Sequence, residues 1–226
     1  MGIKERQERD RKAVRRAILD AARELFVHEG YQNVSIRKIA ERIEYSPAAI
    51  YGYFASKDDI FFALAEEGFR LLCKPEWRSE QLEPLEPLDR VRAIFWRLYE
   101  FSREYPQYFA LMFVDRSVPR ISREYERFAF AREMKGHIVA QIQQAIDTDA
   151  LPSTLHPHVA MRLLTAGIVG IAVMGLSDRL APGENPDALA RDVVEVTLRG
   201  LKCGGALESV AFQCPLDQAA PDARVS

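Results

Sequence analysis

Apolar side chains recur at helical spacing along almost the whole chain, and no stretch alternates apolar and polar residues as a half-buried strand does. This periodicity predicts an all-α fold. A first helix is expected over about residues 10–28, because Gly30 follows its apolar stripe in the position that ends many helices. Beyond the first third of the chain, helices are expected at about residues 88–104, 106–114, 121–147, 157–179 and 186–202.

Size and cysteine usage indicate a globular protein of a reducing compartment. A chain of 226 residues with 48% hydrophobic content can bury a sizeable core without disulfides or metal. Cys73, Cys203 and Cys214 are too widely spaced to indicate a disulfide framework, and the charged N-terminus does not resemble a secretory signal. We therefore expect a cytoplasmic protein. The apolar run 163–176, at 14 residues, is too short to span a bilayer and predicts a buried helix.

Positive charge is concentrated in the first sixteen residues. The whole chain has a formal net charge of −2, so it is not a general binder of polyanions. Residues 1–16 nevertheless contain seven basic and three acidic side chains. Two interpretations stay open for this segment: an edge that contacts phosphates, or the solvated start of a helix.

Three helix starts lie within residues 30–60. Ser35 precedes the first apolar-periodic segment of this region, and Ser56 precedes the third. Ser46-Pro47 places a serine at the N-cap and a proline at the first helical position of the second. Only two or three residues separate the first two of these helices, which is the spacing of a helix-turn-helix.

The side chains of this segment fit that geometry. Ile39, Ala40 and Ile43 are placed to pack against the second helix. Its Ile50 and Phe54 lie at i and i+4 and therefore share one face. Small residues keep the second helix narrow enough for a major groove about 12 Å wide; they are Ala48, Ala49 and Gly52.

Several polar side chains around this helix suit phosphate contacts. Tyr51 and Tyr53 carry hydroxyl groups, and the helix start at Ser56 offers free N–H groups beside the ammonium of Lys57. Plainer interpretations stay open for single residues. Either tyrosine can pack between helices, and Arg37 can be an ordinary solvated charge.

Together these residues resemble the DNA-binding domain of TetR-type (TetR/AcrR) regulators over roughly residues 10–60. The resemblance is carried by Gly30-Tyr31-x-x-Val34-Ser35-Ile36-Arg37-Lys38-Ile39-Ala40 and by Ser46-Pro47-Ala48-Ala49-Ile50-Tyr51-Gly52-Tyr53-Phe54-x-Ser56-Lys57. It implies DNA contacts from Ser35, Arg37, Ser46, Ala48, Ala49, Tyr51, Gly52, Tyr53 and Lys57.

One pair of residues departs from the family pattern. Glu44-Tyr45 occupies the turn where TetR-type proteins often have Gly-Val. Glycine tolerates a left-handed backbone that glutamate does not favour, so we expect a turn of slightly different shape.

The resemblance also implies a division of the chain. Residues 1–56 are expected to form the helix-turn-helix domain, residues 57–204 a helical domain for effector binding and dimerisation, and residues 205–226 a C-terminal tail. In that family the last two helices of each subunit form a four-helix dimer interface. The residues expected there are Leu163, Gly167, Gly170, Ile171, Met174, Val193 and Val196. A core contained within one chain is the alternative.

The helices between residues 88 and 147 are rich in aromatic residues, and an apolar pocket among them would suit a small hydrophobic effector. Such stripes also form plain cores. The residues expected to line the pocket are Phe95, Trp96, Tyr99, Phe109, Met112, Phe113, Phe130, Met134 and His137.

These expectations combine into one function: a homodimeric repressor that a hydrophobic effector releases from a palindromic operator. A ligand-independent architectural DNA-binding protein is the alternative. Neither a catalytic motif nor a cofactor or membrane segment is expected, because the sequence has no Ser/His/Asp order, nucleophile elbow, phosphate loop or HExxH. His156-Pro157-His158 is typical of an ordinary surface rather than of a metal site.

Overall fold

The computed structural model describes residues 2–73, 84–119 and 129–203, and every regular element within these ranges is a helix, as predicted. The expected tail 205–226 lies outside the described residues. The helices are α1 (Ile3–Glu29), α2 (Ile36–Arg42), α3 (Pro47–Tyr51), α4 (Lys57–Leu72), α5 (Pro87–Glu104), α6 (Pro106–Phe109), α7 (Ala129–Asp147), α8 (Pro157–Leu176) and α9 (Pro186–Lys202), with a 3₁₀ turn at Tyr31–Asn33 and a π-helical turn at Ala110–Val114.

Serine side chains start the three short helices of the N-terminal region. The hydroxyl oxygens of Ser35, Ser46 and Ser56 accept hydrogen bonds from the third backbone N–H of α2, α3 and α4, at 3.2, 3.2 and 3.1 Å. Each bond satisfies a donor that has no partner inside its own helix. Because all three starts are fixed locally, the chain can turn sharply twice within about thirty residues.

The core of this region forms where the apolar stripe of α1 meets α2, α3 and α4. Ile39 and Ala40 of α2 and Ile50 of α3 are fully buried, and Phe54 is 6% exposed. Ile43 is half-buried against the same cluster. The predicted packing of the two helices is therefore confirmed.

Helix α1 begins at Ile3, seven residues earlier than its apolar stripe predicts, because polar residues continue the helix into solvent. Gly30 ends it as expected, with φ +80° and its N–H donated to the carbonyl of Phe26 at 3.0 Å. A side chain at Gly30 would be strained at this φ.

The C-terminal bundle consists of α5, α7, α8 and α9, which pack on one another and on α4. Polar contacts join its outer helices: the Tyr99 hydroxyl donates to a carboxylate oxygen of Asp187 at 2.7 Å, and Arg92 donates to Glu195 at 2.9 Å. Burial and the adjacent carboxylate raise the pKa of Tyr99 to about 12, so this hydroxyl keeps its proton as a donor.

Helix α8 is longer than its apolar run suggests. The run 163–176 is too short to span a bilayer, but the whole helix has 20 residues. Among the described helices, α8 is long and apolar enough to cross a membrane, judged by length and composition alone. Only 33% of its most apolar window is buried. Leu163 and Met174 are 40% and 39% exposed, and Val196 on the neighbouring α9 is 68% exposed. The single chain thus leaves an apolar face uncovered.

Two residues expected at a subunit interface contact each other within the chain. A Cβ added at Gly167 of α8 would lie 2.9 Å from Cγ2 of Val193 on α9, which is closer than real side chains approach. Gly167 therefore allows α8 and α9 to pack tightly. A Cβ at Gly170 would meet open space, so that glycine belongs to the exposed face.

Candidate DNA-binding surface and internal cavity

Helix α3 presents a narrow, open face to solvent. Ile50 anchors the helix in the core, while Ala48, Gly52 and Tyr51 are exposed, Tyr51 to 56%. Ala49 lies between them and is half-buried. The face therefore carries two alanines and a glycine beside the exposed ring of Tyr51.

The serines at the helix starts already have structural partners. Ser35 and Ser46 are exposed, and each hydroxyl oxygen accepts a capping bond from the backbone. The hydroxyl hydrogen is the group left to donate to a phosphate. The same two residues can therefore hold the helices and contact DNA.

Arg37 lies on the exposed side of α2 and donates to Glu41, one turn later, at 2.8 Å. This hydrogen bond raises the pKa of Arg37. An exposed pair of this kind contributes little to stability, so exchange of Glu41 for a phosphate or a base edge costs little.

The turn between α2 and α3 has a left-handed backbone at Glu44, although glutamate does not favour that conformation. Glu44 has φ +58°, a conformation that glycine adopts more easily. Tyr45 follows it with 44% of its surface exposed, and its N–H donates to the carbonyl of Ala40 at 2.9 Å. Tyr45 was not expected as a DNA contact, yet it stands beside the start of α3. Its place in a two-residue turn is the sequence signal that could have found it.

Tyr53 and Lys57 are more engaged than the sequence suggests. Tyr53 is half-buried against the core. The Lys57 ammonium donates to the carbonyls of Tyr31 and Val34 at 2.8 and 2.9 Å and lies 4.1 Å from the centre of the Tyr31 ring. Burial lowers the pKa of Lys57. The ammonium braces α4 against the turn that follows α1, and its contact with a phosphate stays a prediction.

Contacts between α1, α4 and α6 join the two halves of the molecule. Arg23 donates to the Tyr108 hydroxyl at 2.9 Å and to Gln107 at 3.0 Å. Arg16 pairs with Glu67 of α4. The DNA-binding region is thereby attached to the bundle through polar side chains rather than through a flexible linker.

A cavity of about 480 Å³, partly open to solvent, lies in the bundle between α4, α5, α7, α8 and the π-helical turn. Apolar side chains form most of its wall, and charged residues lie among them. Its lining is Phe69, Leu72, Cys73, Ile94, Phe95, Arg97, Leu98, Phe113, Ala131, Glu133, Met134, Lys135, His137, Ile138, Met161, Arg162 and Thr165.

Four residues expected to line a pocket do so: Phe95, Phe113, Met134 and His137. Four others, in α5, in α6 and in the π-helical turn, have different surroundings. Trp96 lies against Arg191 and Tyr99 bonds Asp187, Phe109 is fully buried, and Met112 packs over Gly68. The side chain of Phe130 lies outside the described residues.

The sequence did not indicate the contributions of α4 and α8 to the cavity. Arg97 is the least expected residue of the wall, because it stands within an apolar stripe and is only 5% exposed. Glu104 neutralises it through two hydrogen bonds of 3.1 Å, and Leu71 accepts a further bond at 3.4 Å. Arg97 thus ties the end of α4 to α5 at the edge of the cavity.

The two histidines before α8 have a local structural role. Nδ1 of His156 accepts a hydrogen bond from the backbone N–H of His158 at 3.3 Å and so caps the helix. Among residues 2–73, 84–119 and 129–203, no three metal-binding side chains come together.

Replacement of Lys57 by methionine should lower the free energy of unfolding by about 1–3 kcal/mol, because two carbonyls lose a charged donor. Urea unfolding of the full chain measures this loss. Lys38→Met is the control, since Lys38 makes only an exposed pair with Glu29 and should cost less than about 1 kcal/mol. Equal, small losses of unfolding free energy in both variants would contradict the bracing role of Lys57.

Comparisons with known proteins agree with this geometry. The family model for bacterial regulatory proteins of the tetR family matches residues 18–64, which contain the second part of α1, all of α2 and α3, and the first half of α4. A helix-turn-helix transcriptional repressor of Mycobacterium tuberculosis is 28% identical over 193 residues, covering 83% of this chain and 94% of that protein. The repressor AcnR of Corynebacterium glutamicum is 38% identical over 53 residues, covering 24% of this chain and 28% of AcnR.

Solved structures share the fold over most of the chain. The fatty acid degradation regulator FadR of Bacillus halodurans superposes with a TM-score of 0.67 at 15% identity, covering 83% of this chain and 96% of its own. FadR of Bacillus subtilis, solved in complex with stearoyl-CoA, gives 0.66 at 16% identity, covering 81% and 97%. Residues 18–64 of this chain therefore carry a helix-turn-helix of the tetR family, and the chain is similar to a transcriptional repressor over most of its length.

Proposed function

We propose that the chain is a sequence-specific repressor that binds a palindromic operator as a homodimer and leaves it when a small apolar effector fills the internal cavity. The observation that carries the proposal is the narrow, exposed face of α3 on a helix-turn-helix whose three helices are each started by a serine cap.

Sequence reading by this face depends on shape and methyl groups more than on bidentate hydrogen bonds. Ala48, Ala49 and Gly52 offer no side-chain donor, so they suit close contact with thymine methyls. Arg37 supplies a donor for a base edge once it leaves Glu41. Ser35, Ser46, Tyr51 and Tyr53 would contact the backbone and fix the register, and we add Tyr45 to them.

The uncovered apolar face of α8 and α9 supports a dimer. Leu163, Gly170, Met174 and Val196 are exposed along it, and Ile171 is half-buried beside them. Gly167 and Val193 lie behind the face and shape it through their own contact. A two-fold axis through this face would place the two copies of α3, which we take as the recognition helices, on the two halves of a palindromic site. We place the dimer in the cytoplasm, where the chromosome is.

The cavity supports control by a ligand. Its volume of about 480 Å³ and its largely apolar wall are typical of sites for small hydrophobic molecules. A molecule bound there would touch Phe69, Leu72 and Cys73 of α4, the helix that begins at the helix-turn-helix. Acyl thioesters are the first class to test, because a protein of the same fold was solved with stearoyl-CoA.

Release from DNA requires the effector to favour one arrangement of the two DNA-binding domains over another. Two connections from the cavity support such an effect. Helix α4 reaches it directly, and Phe113 belongs to the π-helical turn whose Met112 packs over Gly68 of α4. Movement of either connection would change the spacing of the recognition helices.

The first experiment selects binding sites for the purified full chain from random duplex DNA. A palindrome should be enriched, and Ala48→Glu should lower affinity for it about 100-fold or more, since a carboxylate would face the groove and its phosphates. Ala140→Glu adds the same charge on the exposed side of α7 and should leave affinity unchanged. Binding without an enriched sequence, lost uniformly as salt rises, would favour the architectural alternative.

The dimer is tested by Val196→Glu, which places a carboxylate on the uncovered apolar face. Sedimentation should show a monomer for this variant and a dimer for the native chain, because a buried unpaired charge costs several kcal/mol. Leu85→Glu, at a residue 37% exposed before α5, is the matched control and should remain a dimer. A dimeric Val196→Glu protein would place the interface elsewhere.

The effector site is tested by titrating operator complexes with stearoyl-CoA and shorter acyl thioesters. Ala131→Leu should weaken release about tenfold or more, since overpacking the cavity wall costs about 1–3 kcal/mol. Ala140→Leu, on the exposed side of the same helix, should behave as the native chain. Release that is equal in both variants would show that the ligand acts outside the cavity.

A further inference from the structure

The first three turns of α1 project beyond the folded domain. Residues 4–13 are exposed, and the buried stripe of the helix begins only near Ile18. From Ile3 to Arg15 the helix is about 18 Å long, which is comparable to five base pairs of B-DNA. The family match begins at residue 18, so this projection lies outside the matched domain.

The projection has a defined orientation relative to α3. The guanidinium of Arg15 stacks 4.9 Å from the centre of the Phe54 ring, three residues after the end of α3. Arg15 lies on the same face of α1 as the buried Leu19 and Ala22. The stripe that packs onto the helix-turn-helix therefore continues into the projection on the side of the recognition helix.

Basic residues extend that stripe. Arg11 lies one turn before Arg15, and Lys4 lies two turns before Arg11, at the spacings that keep side chains on one face. Glu8 shares the face and pairs with Lys12 at 3.6 Å. In the part of the chain that the structure describes, Lys4 and Arg11 have no carboxylate partner.

The other basic side chains of the segment are engaged or point away. Arg16 pairs with Asp20 and Glu67, and Arg9 lies 3.9 Å from Asp10. Arg6 is exposed and lies on the opposite side of the helix from Arg15, half a turn out of register. The segment thus has one face, beside α3, on which Lys4 and Arg11 can contact a ligand. The opposite face, which carries Arg6, points away from α3.

We propose that residues 3–15 form a basic arm that lies along the DNA backbone next to the recognition helix and contacts phosphates outside the half-site through Lys4 and Arg11. The inference rests on the proposed DNA-binding function and extends its interface. Residues 4–12 contain no apolar side chain, so the arm has no anchor of the kind that protein partners or membranes require. Polyanionic backbone is the partner that such a surface fits.

The test measures operator affinity against salt for the native chain and for Lys4→Gln/Arg11→Gln. The duplex carries the selected site with one helical turn of flanking DNA on each side. Each lost phosphate contact lowers the slope of log affinity against log salt by about 0.9, so a dimer that loses both residues should lose about 3.6. All these positions are exposed, and unchanged helicity by circular dichroism checks the fold.

Arg6→Gln is the matched control, because it removes an equal charge from the opposite face and should leave the slope unchanged. Trimming the flanks should lower the native slope to that of the double variant and have no further effect on the variant. Equal slopes for the native chain and the double variant, or an equal fall in Arg6→Gln, would overturn the arm while leaving operator binding intact. Failure to bind any duplex would overturn both the arm and the proposed function.

Discussion

Helix α4 is the constraint on which the rest of the molecule depends, because one rigid element belongs to both halves. Its first turn is capped by Ser56 and braced by Lys57 against the carbonyls that follow α1. Its last turn forms part of the cavity wall, and Arg97 bonds the carbonyl of Leu71 there. A rigid helix cannot shift at one end without moving the other, so a displacement of α4 at the cavity wall would also move its first turn, next to the helix-turn-helix.

Close packing restricts how that connection can move. Gly68 of α4 leaves just enough room for Met112, since an added Cβ would lie 2.3 Å from its sulfur. Gly167 similarly brings α8 against Val193 of α9. Tightly packed interfaces of this kind tend to switch between discrete arrangements rather than deform continuously, which suits a regulator with two states.

Two features of the surface have no partner within the described part of the single chain: an apolar face and a group of basic side chains. The apolar face of α8 and α9 lacks a cover there, and Lys4 and Arg11 on the basic face of the α1 projection have no carboxylate partner among the described residues. The first feature calls for another apolar surface, and the second for a polyanion. A dimer on DNA would satisfy both at once, and the geometry of each would constrain the other through the spacing of the two subunits.

The sequence by itself determined the helices that are fixed by local chemistry. Serine caps, Pro47 and Gly30 set the bounds of the helix-turn-helix, and the apolar stripes identified its core. These features depend on neighbours a few residues away, so periodicity and capping reveal them. The left-handed backbone at Glu44 was not indicated by the glutamate itself.

Tertiary structure alone decided which side of each helix meets which neighbour. Trp96 and Tyr99 share a helix with Phe95, yet only Phe95 faces the cavity, because α9 covers the other side of α5. The sequence predicted a phosphate contact for Lys57, and only the fold showed that the carbonyls of Tyr31 and Val34 lie within 2.9 Å of its ammonium. Such contacts join residues distant in sequence, and no local pattern encodes the rotation of one helix about its axis relative to another.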